Sequence, residues 1–181
     1  IKVSALFFFI LLVQYGAFGQ TLSFEDMRTF DEVGSGADWT YPDGTGRTAY
    51  QKNNTSGAVF LVSPDSGYLN NVFKGTIQVA SGAGDNDDIG FAFGFNGVND
   101  TYIWSWDKGG ISNGVRSRGA HLLYKKTSSS SFSSLPGTLI DQGPNNDPWA
   151  HGVTYQIEIL YTENKINIKV NGVLKLEATP S

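Results

Sequence analysis

The stretch Ile89–Asp107, IGFAFGFNGVNDTYIWSWD, decides how the rest of the chain is read. In an extended backbone Ile89, Phe91, Phe93 and Phe95 share one face, and Gly90, Ala92 and Gly94 share the other. A helix would scatter both sets around its circumference, because its period is 3.6 and not 2. Asn96-Gly97 then supplies turn chemistry, and a second alternating run puts Tyr102, Trp104 and Trp106 on one face. The predicted unit is a hairpin with a core-facing row of phenylalanines.

The same alternation recurs on both sides. GAVFLVS (57–63), FKGTIQVAS (73–81), AHLLYKK (120–126), VTYQIEILYT (153–162), KINIKV (165–170) and VLKLEA (173–178) all read as strands. Pro64-Asp65-Ser66-Gly67, Lys108-Gly109-Gly110 and Asn171-Gly172 punctuate them. No segment carries apolar residues at three-and-four spacing, so the expected fold is an all-β antiparallel sandwich. Serine-rich 126–137 reads as a surface loop, and turn-rich 141–152 as a loop pegged to the body by Trp149. No linker divides the chain, so one domain is expected over 20–181.

Residues 1–19 have the layout of a secretory signal peptide. A lysine at position 2 precedes an apolar run from Val3 to Val13, and small residues stand at Ala17 and Gly19. The run is shorter than the ~20 residues that span a bilayer, so cleavage before Gln20 and no membrane insertion are expected. The whole chain has 13 basic and 17 acidic side chains, and losing Lys2 takes the net charge to about −5. That balance, with no basic cluster longer than Lys125-Lys126, argues against a nucleic-acid partner. There are no cysteines, which excludes thiol catalysis, thiolate metal sites and a disulfide framework. Asn53, Asn54 and Asn99 fit the N-glycosylation pattern.

Just before the hairpin stands Gly84-Asp85-Asn86-Asp87-Asp88, with three carboxylates in four residues. Asp85, Asp87 and Gly90 match positions 1, 3 and 6 of an EF-hand, but Ile89 and Asn96 fall at positions 5 and 12. That motif is therefore excluded. A calcium-binding loop of another kind and an acidic turn facing water both remain open. So do two readings of Tyr102, Trp104 and Trp106, as a surface for stacking sugar rings or as sandwich core.

DNDDIGFAFGFNGVNDTYIWSWDKGG (85–110) resembles the thrombospondin C-terminal lectin-like domain, where an Asp-rich turn enters a Gly-Phe-rich strand and an aromatic strand follows. ADWTYPDGTGRTAYQKNN (37–54), NNVFKGTIQV (70–79) and PWAHGVTYQIEILYTENKINIKVNGVLKLEA (148–178) look like further segments of that family. The resemblance covers roughly 22–178, and its last hairpin is shared with the wider concanavalin A-like lectin and glucanase superfamily. It implies a jelly-roll sandwich, an extracellular setting, and calcium near Asp85, Asp87 and Asp88. Departures are the absent calcium-rich repeats, the absent cysteine near the end, and a missing final strand or strands, which would leave the domain C-terminally incomplete.

Glucanases of this superfamily place two or three acids along one strand. Here Glu25, Glu32, Glu158, Glu163 and Glu177 have no second acid at that strand spacing. His121 and His151 lack a nucleophilic serine motif and read as surface or capping residues. The expectation is a secreted, non-catalytic module that binds calcium and recognises an extracellular glycan or protein, with Tyr102, Trp104 and Trp106 as the ligand-stacking candidates. A structural or adhesive domain without a small ligand, and a glycoside hydrolase of the same fold, are the alternatives.

Overall fold

Strands join wherever the alternation predicted them, and additional ones complete two facing sheets. The structure, a computed structural model, describes residues 6–9, 28–31, 38–40, 42–43, 48–51, 59–62, 69–81, 88–94, 100–109, 118–126 and 137–181. Among these there is no helix. Five short strands come first: β1 (Leu6–Phe9), β2 (Arg28–Asp31), β3 (Trp39–Thr40), β4 (Thr48–Gln51) and β5 (Val59–Val62). Then follow β6 (Asn71–Gln78), β7 (Asp88–Phe93), β8 (Thr101–Asp107) and β9 (His121–Lys126). The last four are β10 (Thr138–Gln142), β11 (Thr154–Tyr161), β12 (Ile166–Val170) and β13 (Val173–Ala178).

One sheet has the order β10-β9-β8-β7, and the larger has the order β13-β12-β11-β6-β1-β4-β3, with every pairing antiparallel. A separate pair, β2-β5, lies against β7 through β5. The protein is thus an antiparallel β-sandwich. Its core forms where Ile89, Phe91, Phe93, Tyr102, Trp104, Trp106 and Leu123 of the smaller sheet meet a second apolar row. That row is Ile77, Ile157, Ile159, Ile166, Ile168, Val170 and Leu176 of the larger sheet. The outer face of the larger sheet is polar, as period-two alternation requires. There Glu158 accepts from Lys169 at 2.8 Å and pairs with Lys74 at 3.1 Å. Those two hydrogen bonds, Lys169 first, hold the Glu158 carboxyl below its usual range. Glu158 is an outward strand residue in a solvent-side ladder, as its sequence context predicts.

The Asn171-Gly172 turn between β12 and β13 has φ of 50° and 78°, both left-handed, which is the hairpin turn its sequence signals. Register then breaks once: Ile168 pairs with Leu176 but Lys169 with Leu174, leaving Lys175 as the extra residue of a bulge. A bulge re-aims one side chain, and Lys175 is turned toward the end of the sandwich. β1 lies within the segment read as a signal peptide, and its backbone pairs with both β6 and β4. Removal of residues 1–19 would take that strand out and part β6 from β4. Asp85, Asp87, Phe95, Asn96-Gly97, the candidate glycosylation sites Asn53, Asn54 and Asn99, and most of the serine-rich loop lie outside the described residues.

Gly90 pairs with Ser105, and there β8 comes so close that a Cβ at position 90 would collide with the Trp104 carbonyl oxygen. Gly90→Ala should therefore destabilise the domain by about 2–3 kcal/mol through forced separation of β7 and β8. A denaturant titration checks this; an unchanged midpoint would mean that the two strands do not approach as described.

Candidate functional site

β8 is buried along its whole length, yet its two faces carry different chemistry. Toward the core, direct cross-strand partners stack: Phe91 on Trp104 with ring centroids 6.0 Å apart, and Phe93 on Tyr102 at 5.7 Å. Trp104 stacks in turn on Trp106 at 6.1 Å, and Tyr155 of β11 meets Trp106 edge-on at 4.7 Å. Tyr102, Trp104 and Trp106 are each 1 % exposed or less. Of the two readings their spacing allows, the structure places them in the core, where neighbouring rings already occupy their faces and no sugar ring has access.

The opposite face of the same sheet holds a second apolar cluster, Ile103, Ala120, Leu122 and Tyr124, with Ala92 packed on it. Beside it lie buried polar groups: Asp88, Thr101, Ser105, Asp107 and Lys126. The small-residue face of β7 is therefore matched by aliphatic and tyrosine side chains of β8 and β9, and close packing at Gly90 and Ala92 permits it. Asp88, read from sequence as part of the acidic turn before the strand, is the first residue of β7 and is 4 % exposed. Its Oδ2 accepts a hydrogen bond from the Ser105 hydroxyl at 2.6 Å. Directly across the ladder stands Asp107. Strand pairing thus brings two carboxylates of the same sign opposite one another at the root of the acidic turn. Sequence spacing hid this, since Asp88 and Asp107 are joined only by hairpin register.

A second polar centre closes one end of the sandwich. His121 is 0 % exposed, so its reading as a surface or capping residue is corrected here. Register pairs it with Trp106, and its ring stacks on Trp106 at 4.8 Å and on Trp104 at 5.9 Å. Its Nε2 donates to Asp147 Oδ2 at 3.1 Å, and Lys175 Nζ donates to the same oxygen at 2.6 Å. Burial is the dominant influence on the imidazole and lowers its pKa to about 4, against the opposing pull of Asp147. Nearby, Lys108 Nζ donates to His151 Nδ1 at 2.7 Å and lies 4.6 Å above the Trp149 ring. Trp149 is 1 % exposed and belongs to the main core, the peg its loop was expected to have. No group of three or more His, Asp or Glu arranged for a metal occurs among the described residues, which do not include Asp85 and Asp87.

Ser105→Ala should cost about 1.5–3 kcal/mol in unfolding free energy, because a buried carboxylate loses a charge-assisted donor. Chemical denaturation measures it; a loss below about 0.5 kcal/mol would remove the Asp88–Ser105 bond from the account of this face. The chain matches no protein-family model, and comparison with curated proteins finds no match.

Proposed function

We propose that the protein is a secreted, non-catalytic binding module of concanavalin A-like jelly-roll type. Calcium would be held at its acidic turn, and an extracellular glycan or protein recognised on a concave sheet face or a loop edge. The observation that carries this reading is the carboxylate pair at the root of the acidic turn, where Asp88, held by Ser105, stands opposite Asp107. Both carboxylates are buried beside Tyr124, Ile103 and Leu122 on the face of the smaller sheet away from the main core. Buried polar groups are costly in a fold that could use apolar ones, so their presence on a face away from the main core favours a role beyond packing.

The donor set at the turn fits a hard cation. Asp85, Asp87 and Asp88 would supply carboxylate oxygens, and Asp88 is already oriented by Ser105. Calcium there would neutralise crowded like charge and pin the turn to the start of β7. Residues 1–19 act in this reading as the signal for export, with Gln20 as the mature start.

Hydrolysis is the second reading, favoured by the register of Asp88 opposite Asp107. Retaining glycosidases hold their two carboxyl groups about 5–5.5 Å apart, close to the separation of directly opposed strand residues. Against it, these two acids are 4 % and 2 % exposed, and a catalytic pair must reach the glycosidic oxygen.

Calcium at a hundred times its dissociation constant should stabilise the domain by about 2.7 kcal/mol, seen as a raised unfolding midpoint. Asp87→Asn should abolish that rise. If neither calcium nor the substitution moves the midpoint, the metal assignment is wrong. On a glycan array the folded protein should give signal; a silent array assigns the domain a structural or adhesive role. Release of reducing sugar from a β-glucan, lost in Asp107→Asn, would establish the hydrolase reading instead.

A further inference from the structure

The loop between β10 and β11 is tied to both sheets through one carboxylate. On the side of the smaller sheet, Gly143 N donates to His121 O at 2.8 Å, Asn146 N to Arg118 O at 2.7 Å and Asp147 N to Gly119 O at 3.4 Å. Trp106 Nε1 donates to Asp147 O at 2.6 Å, and His121 Nε2 to its side chain. On the side of the larger sheet, the bulge residue Lys175 reaches the same Asp147 oxygen, and Ala150 N donates to Tyr155 Oη at 2.8 Å. Gly143 allows the passage, since a Cβ there would collide with the Lys175 carbonyl oxygen.

We propose that this tie is an acid-released clasp: proton uptake by His121 detaches residues 143–149 from the 118–121 edge and from Lys175, uncovering Trp106 and Trp149. The geometry makes the closed state hostile to a charged ring. Its Nε2 proton is committed to Asp147, and its Nδ1 is buried with no hydrogen-bond partner among the described residues. An imidazolium would have to place a second N–H there without an acceptor, on a ring that packs against two indoles and shares its Asp147 oxygen with the Lys175 ammonium. Once the loop lifts, both ring nitrogens meet water.

The direction of the pH effect follows. The closed ring takes its proton only near pH 4, whereas a solvated one takes it near 6.5. Between those values the opened state binds the extra proton, so the clasp is fully held above 6.5 and weakens about ten-fold per unit as pH falls toward 4. Asp147 and Tyr155, which lie near the ring, are both displaced away from this window. Burial raises the Asp147 carboxyl, but the hydrogen bonds from Lys175 and His121 outweigh it and keep it below its usual range. Burial raises the Tyr155 hydroxyl, while Trp104 and Trp106 of β8 carry no charge.

Amide hydrogen exchange on the full chain tests the clasp. After correction for intrinsic rates, protection at Gly143, Asn146 and Asp147 should fall about twenty-fold from pH 7 to pH 5, while staying below that of Ile157 and Ile168. His121→Gln keeps a donor near Asp147 and cannot titrate, so its loop protection should be the same at both pH values. Equal pH dependence in that variant, or loop amides that exchange no faster than the core strands, would overturn the proposal. Should His121→Gln fail to fold, the imidazole resonances of the wild-type protein decide. A titration midpoint near 4 supports the clasp, and one near 6.5 with the loop still protected refutes it.

Discussion

Everything in this sandwich is referred to one strand buried on both faces. Thr101–Asp107 has neighbours on each edge, a stacked aromatic row toward the core, and a mixed polar and aliphatic row on the other side. Large rings on one face set how far the opposing sheet can approach, and offset stacking with Phe91 and Phe93 fixes the register of the hairpin. A slip of one residue would exchange the two faces, burying Asp107 among the rings and turning Trp104 outward. The close approach at Gly90 is the consequence on the other face, where the backbones of β7 and β8 nearly touch.

From that strand the polar chemistry divides into two regions. One is the pairing of Asp88 with Asp107 and Ser105, inherited directly from hairpin register. The other is the end of the sandwich, where Trp106 anchors the loop through its indole nitrogen and His121 stacks beside it. In both places a charged or titratable group sits against an apolar wall and is held by a polar partner, Ser105 for Asp88 and Asp147 for His121. Such groups hold one arrangement firmly and respond sharply to loss of that partner, because a desolvated charge has no water to fall back on.

The strand positions were legible because period two is a local property. Every alternating run from Val59 onward became a strand, and Asn171-Gly172 turned as its composition demands. Strands without clear alternation were not legible: β10, β4 and the short β3 are held by ladder partners rather than by their own patterning. Glu158 was readable as outward, as a lone charged residue in an alternating strand, and its ladder partners Lys74 and Lys169 complete the polar surroundings. His121 was not readable as buried, because a histidine at a strand start carries no signal of what will cover it. Here the cover is Asp147, 26 residues further on, together with Lys175 from the opposite sheet.

What the sequence by itself determined is the alternation of faces, the hairpin turns, the absence of cysteine chemistry and the rows that share a side. Those depend only on the two-residue repeat of an extended chain and on the φ preferences of Asn and Gly. Tertiary structure alone decided which face of the aromatic strand meets the core, and so whether Tyr102, Trp104 and Trp106 were core or surface. It also decided that Asp88 would stand opposite Asp107, and that one carboxylate on a loop would join His121 to Lys175. The physical reason is common to all three. Burial and pairing belong to contacts between segments far apart in the chain, and a local pattern cannot name the partner that another sheet supplies.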